Sequence, residues 1–144
     1  PVQLEVDGVM TRVFVVGDTG YNPYDGVLAV NDRLLEADPD LVARFVEAVR
    51  QGWDSYLADP DPINDVIATL NPDLKSNVLR LAAAKLPAFV RSDETREHGL
   101  GWMSGERWDE LVEQLETLGE ITKDDASGLG RIHLNPGVAS RSSD

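Results

Sequence analysis

Thr11-Arg12-Val13-Phe14-Val15-Val16-Gly17-Asp18-Thr19-Gly20 is the stretch that decides the fold class of this 144-residue chain. Its first six residues are rich in β-branched and aromatic side chains and run into glycines without the apolar and polar alternation of a half-exposed hairpin. Val27-Leu28-Ala29-Val30 has the same character. Both predict short strands covered on two faces, as in a parallel or mixed α/β sheet. Two short strands do not make such a sheet by themselves. The expectation is an α/β fold with few strands and an incomplete sheet, followed by a helix-rich remainder.

Working outward, the pattern turns helical from residue 31. Asn31 is placed to cap a short turn through Glu36, and Asp38-Pro39 sets a capping carboxylate before a proline at a first helical position. Leu41, Val42, Phe45, Val46, Val49, Trp53, Tyr56 and Leu57 then recur every three or four residues, the signature of a long amphipathic helix. Asp59-Pro60-Asp61-Pro62 stops it and opens a shorter helix with Ile63, Val66, Ile67 and Leu70 expected inward. Asn71-Pro72 repeats the device for a helix carrying Leu74, Val78, Leu79, Leu81, Ala82 and Leu86, ended or kinked at Pro87. A last helix comes after Ser104, with Trp108, Leu111, Val112, Leu115 and Leu118 inward and Gly119 at its end.

Charge and composition exclude several classes. With 26 acidic against 13 basic residues the net charge is −13, which argues against a protein that neutralises nucleic-acid phosphates. At 42% hydrophobic and 27% charged, the chain has the composition of a globular domain rather than a disordered one. Cysteine is absent, so disulfides, thiolate metal sites and cysteine nucleophiles are excluded within these residues. No apolar run approaches the ~18 residues of a membrane span. There is no internal repeat, phosphate-binding glycine loop, nucleophile elbow or zinc-protease helix. With His98 and His133 far apart in sequence, neither a metal nor a catalytic group is expected, and no cofactor is implied.

Five features remain, and most of them have a plain structural reading. The loop Gly17 to Gly26 holds Tyr21, Asn22, Tyr24 and Asp25 among glycines; an aromatic face stacks on a flat ligand while an amide or carboxylate fixes its edge, or else the loop is a polar turn whose tyrosines pack locally. His98-Gly99-Leu100-Gly101-Trp102-Met103 reads as a connector docked onto helices. The run Glu120 to Asp125 reads as solvated surface, and Trp53 and Trp108 as core. His133 and Asn135 sit in a short apolar stretch that is a candidate final strand, with the histidine in a structural, hydrogen-bonded role.

The order of Pro1-Val2-Gln3-Leu4-Glu5, Gly8-Val9, the valine-rich segment, the tyrosine loop, Val27 to Val30, Asn31-Asp32 and the Asp38-Pro39-Asp40-Leu41-Val42 helix running to Gly52-Trp53 resembles bacterial ABC-transporter solute-binding proteins. The branch it looks most like binds thiamine pyrimidine precursors, akin to the taurine, sulfonate and nitrate binders. The His98 to Met103 segment with Glu106-Arg107-Trp108 is the most specific match. The likeness runs over nearly the whole chain but corresponds to the second half of such a protein. It implies a type II periplasmic-binding-protein-like fold of two α/β lobes that close over a ligand. Residues 1–26 would then finish the second lobe and form the hinge crossover, residues 27–136 would be the mostly helical returning part of the first lobe, and 137–144 a flexible tail.

The same resemblance implies an extracytoplasmic component of an ABC importer, periplasmic or extracellular, that hands a small heterocycle or sulfonate to permease subunits. A missing N-terminal half would supply the absent strands, and the start at Pro1 without a Met is expected to reflect processing or truncation, with any signal peptide or lipid anchor lying upstream. Tyr24, Asp25, Tyr21 and Asn22 are the ligand-binding residues carried over; catalytic residues are not expected. The competing readings are a pyrimidine-synthase-like enzyme of the same fold and a helical protein-interaction domain.

Overall fold

The computed structural model describes residues 1–128 and 133–135. Nine α-helices are formed among them: α1 (Val2–Val6), α2 (Asp32–Ala37), α3 (Pro39–Ala58), α4 (Asp61–Leu70), α5 (Ser76–Lys85), α6 (Pro87–Val90), α7 (Asp93–His98), α8 (Gly105–Leu118) and α9 (Lys123–Gly128). A 3-10 turn occupies Val16–Thr19. The chain divides into two compact units, residues 1–13 with 48–100 and residues 14–47 with 101–144, so that α3 contributes to both. The expected tail at 137–144 lies outside the described residues.

The expected strands do not form among the described residues. Val16 opens the 3-10 turn, and residues 27–30 are irregular. Val15 does have extended dihedrals, φ −89° and ψ 123°. A strand, however, needs a neighbour that pairs its peptide N–H and C=O groups, and β-propensity is largely a fit to such a half-buried surface. Without that neighbour Phe14 is 79% exposed and Leu28 52%. The stretch at His133 to Asn135 is likewise irregular.

In the first unit α5 is the central element, contacting α1, α4 and α6. Val78 and Ala83 on α5 are the buried apolar residues among those described. Lys85 pairs with Glu5 and ties α5 to α1. The phase of α4 differs from the expected one: Ile63, Val66 and Leu70 face solvent, and Asn64 is the buried residue at 5% exposure. Its Oδ1 accepts a 3.1 Å hydrogen bond from the Tyr56 hydroxyl of α3, a directional contact that fixes which side of α4 turns inward. Trp53, expected in a core, is 41% exposed and meets Tyr56 edge-on at 6.3 Å.

Helix boundaries follow local chemistry. Asn71-Pro72 ends α4 instead of opening α5: the Asn71 N–H donates to Ile67 O, Leu74 N–H closes a turn on Asn71 O, and α5 starts only at Ser76. Pro72 has no N–H to extend α4. Pro87, equally without a donor, separates α5 from α6. Helix α7 begins with a capping box in which Thr95 N–H donates to Ser92 Oγ and Ser92 N–H to Thr95 Oγ1.

In the second unit the caps fall where expected. Asn31 Oδ1 accepts from Leu34 N–H at 2.8 Å, and Asp38 Oδ1 from Leu41 N–H at 2.9 Å. Ser104 Oγ accepts from Arg107 N–H at 3.2 Å to start α8, which ends at Gly119 with φ 74°. Leu111, Val112 and Leu115 are half-buried, whereas Leu118, in the last turn of α8, is 69% exposed. The acidic run beyond is more than solvated surface. Asp125 Oδ2 accepts from both the N–H and the hydroxyl of Thr122, capping α9. Those two bonds, the hydroxyl one first, hold the Asp125 pKa below the usual carboxylate range.

Candidate functional site

The loop between the 3-10 turn and α2 is built around one residue far along the chain. Gly20, at φ 91°, takes the left-handed conformation that lets the loop leave the turn. Arg107, in the first turn of α8, clamps the middle of the loop: its Nε donates to Asn22 O, and its Nη2 to Asn22 Oδ1 at 2.8 Å and to Pro23 O at 3.0 Å. Its guanidinium carbon lies 4.0 Å from the centre of the Tyr24 ring. Charge-assisted donors satisfying loop carbonyls are worth more than neutral ones, and the ring contact adds about 0.5–1 kcal/mol. Gln114 Nε2 secures the loop's beginning on Gly20 O at 3.0 Å.

Tyr24 is gripped at both ends. Its hydroxyl oxygen accepts from Ser104 N–H at 2.7 Å, satisfying a donor at the start of α8. Its ring packs on Trp108 at 5.8 Å, and Trp108 stacks on His133 at 5.9 Å and 12°. His133 is thus held by ring stacking, and the neighbouring Asn135 mimics a strand pair: its Oδ1 accepts from Met103 N–H at 2.6 Å and its Nδ2 donates to Met103 O at 2.7 Å. The Trp108 indole N–H is buried with no acceptor among the described residues.

The structure therefore brings Tyr24 and Asn22 together under Arg107, while Tyr21 and Asp25 stand at the surface of the same loop. Tyr21 is 41% exposed, and Asp25 Oδ1 accepts the Gly26 N–H at 2.9 Å. Asn22 also packs on Gly17, where an added Cβ would fall 3.0 Å from its Oδ1. Motif and periodicity assign Arg107 no such role. The signal present in the sequence is its place in a first helical turn, where a cation opposes the helix dipole and needs another reason to be there. Chemically the candidate site is a loop held by Arg107 that offers one aromatic face and one carboxylate.

Residues 1–63 match the family described as NMT1/THI5 like. The chain is 30% identical over 125 residues to the riboflavin-binding protein RibY of Chloroflexus aurantiacus, an alignment covering 85% of this chain. The chain spans 35% of that relative's length. No solved structure matches. Together these findings fit an NMT1/THI5-like solute-binding family, for which a periplasmic-binding-protein-like fold is implied. Among the described residues no helix is long and apolar enough to cross a membrane.

Proposed function

We propose that this chain forms part of the binding component of an ABC importer of type II periplasmic-binding-protein-like fold, which captures a flat heterocycle and presents it to permease subunits. The observation that carries the reading is the Arg107 clamp on Asn22 and Pro23, in a loop where Tyr21 and Asp25 stand at the surface. Holding the backbone beside Tyr21 lowers the entropy lost when its ring stacks against a ligand, and the nearby Asp25 carboxylate accepts from ring N–H or hydroxyl donors. Tyr24 and Asn22, engaged internally, position the loop. The hinge crossover falls within residues 1–26, and the remaining pocket groups and pairing strands belong to another part of the protein. Closure of two lobes over the ligand, with no bond made or broken, is the implied mechanism.

Riboflavin, the ligand in the name of the similar RibY protein, fits this description, as does a thiamine pyrimidine precursor. Thermal-shift titration of the full-length protein with riboflavin, a hydroxymethyl-aminopyrimidine, taurine and nitrate separates the classes. A shift of several degrees with a heterocycle, lost in Tyr21→Ala and reduced in Asp25→Asn, is the expected result. A response confined to taurine or nitrate, or equal responses in the wild type and both variants, defeats the assignment.

A further inference from the structure

The C-terminal part of α3 places Arg50 and Asp54 one turn apart, and Arg50 Nη1 donates to Asp54 Oδ2 at 2.7 Å. Arg91, directly after α6, and Arg96, on α7, line the same cavity, with Thr95 and Leu100 completing its wall. All six residues belong to the first unit. Three of the chain's 13 basic residues thus surround one small space in a protein of net charge −13, against a single lining carboxylate. Mutual repulsion among guanidiniums opposes such a gathering unless an anion offsets it.

The ion pairs are uneven among the three arginines. Asp54 answers Arg50, and Asp93 pairs with Arg96, but Asp93 is fully exposed and does not line the cavity. Arg91 has no ion pair among the described residues. Thr95 is not a further donor to a ligand, since its hydroxyl is engaged with the Val90 and Ser92 backbone. Gly99, at φ 95°, ends α7 and turns the chain so that Leu100 closes one side. At 260 Å³ the cavity is below the ~300–1,000 Å³ of pockets for drug-sized ligands, too small for a flavin and large enough for an ion.

We propose that this cavity binds a tetrahedral oxyanion of the phosphate class, with Arg91 as the principal ligand and Arg96 turning from Asp93 to join it. One guanidinium fork satisfies a planar carboxylate, whereas forks arriving from separate elements match the several oxygens of a tetrahedral anion. The anion is either free or carried on a small organic monoester.

Calorimetric titration of the full chain at low ionic strength, with inorganic phosphate, glycerol 3-phosphate and acetate in parallel, tests this. Saturable one-to-one phosphate binding is expected, at least tenfold weaker in Arg91→Ala, intermediate in Arg91→Lys, and unchanged in Arg80→Ala, a control on the exposed face of α5. Arg96→Ala should move in the same direction as Arg91→Ala, and circular dichroism verifies that each variant keeps its helices. Binding of glycerol 3-phosphate alone identifies the ester as the source. Acetate binding as tightly as phosphate, no saturable heat with either phosphate compound, or equal affinity in wild type and both arginine-to-alanine variants overturns the proposal.

Discussion

Residues 20–25 and the apolar runs on either side of them, 13–16 and 27–30, form an instructive contrast. The polar loop has no regular structure, yet each of its strong acceptors around Asn22 and Pro23 meets a donor from α8. The flanking runs have the highest β-propensity in the chain, yet Phe14, Val16 and Leu28 face solvent. Contacts here track satisfaction of polar groups and not apolar content. A loop is held by whichever side chain reaches its carbonyls, whereas a strand requires a second strand.

Arg107→Ala is the severest test of that contrast. Losing three charge-assisted donors and the Tyr24 contact at a half-buried site should cost about 2–3 kcal/mol in denaturant unfolding, allowing for partial solvent replacement. Amide exchange should accelerate across 20–25 while that of 13–16 stays as it was. If exchange in both regions rises together, the loop and its flanks are one cooperative unit and the contrast is broken.

A gentler probe is Tyr24→Phe, which removes only the acceptor for Ser104 N–H. A loss of about 1 kcal/mol is expected, read from thermal melting, with faster exchange in the first turn of α8. No change in that turn would mean that solvent serves Ser104 equally well.

Phe14→Ser with Leu28→Ser sharpens the other side. Because both residues are exposed, chemical denaturation should register within about 0.5 kcal/mol of wild type. A loss near 3 kcal/mol would reveal a packed role that the exposure denies.

The smallest effect belongs to Asp125, whose lowered pKa lies on a fully exposed group. A depressed carboxylate contributes its stabilisation above the pKa of the unfolded chain and loses it as pH falls through the lower, folded value. Helix α9 should therefore fray only on acidification into and below the carboxylate range, monitored by the Thr122 and Asp125 amide shifts. Asp125→Asn should make those shifts insensitive to pH.

Much of the helical framework is legible in the sequence because capping is local. Asn31, Asp38, Ser104 and Gly119 act on atoms within a few residues, so their chemistry reads directly from the chain. Asp125 reads as surface unless Thr122 is paired with it, although the three-residue spacing is there. Helices α1 and α7, at five and six residues, are too short for periodicity to report. The inward face of α4 escapes the pattern for a different reason: its apolar residues Ile63, Val66 and Leu70 lie outward, and the side that turns in carries Asn64, bonded to Tyr56. Of the candidate site, the loop is legible by composition and the arginine that shapes it is not.

By itself, then, the chain of amino acids determined the caps at Asn31, Asp38, Ser104 and Gly119, that no thiol chemistry operates in these residues, and which loop gathers rings and carboxylates. Tertiary structure alone decided that Arg107 clamps that loop from more than eighty residues away, that three arginines share one cavity, and that the valine-rich runs lie open. The physical reason is range: caps and turns are settled among near neighbours, whereas ion pairing, burial and strand pairing depend on partners that only folding brings within reach.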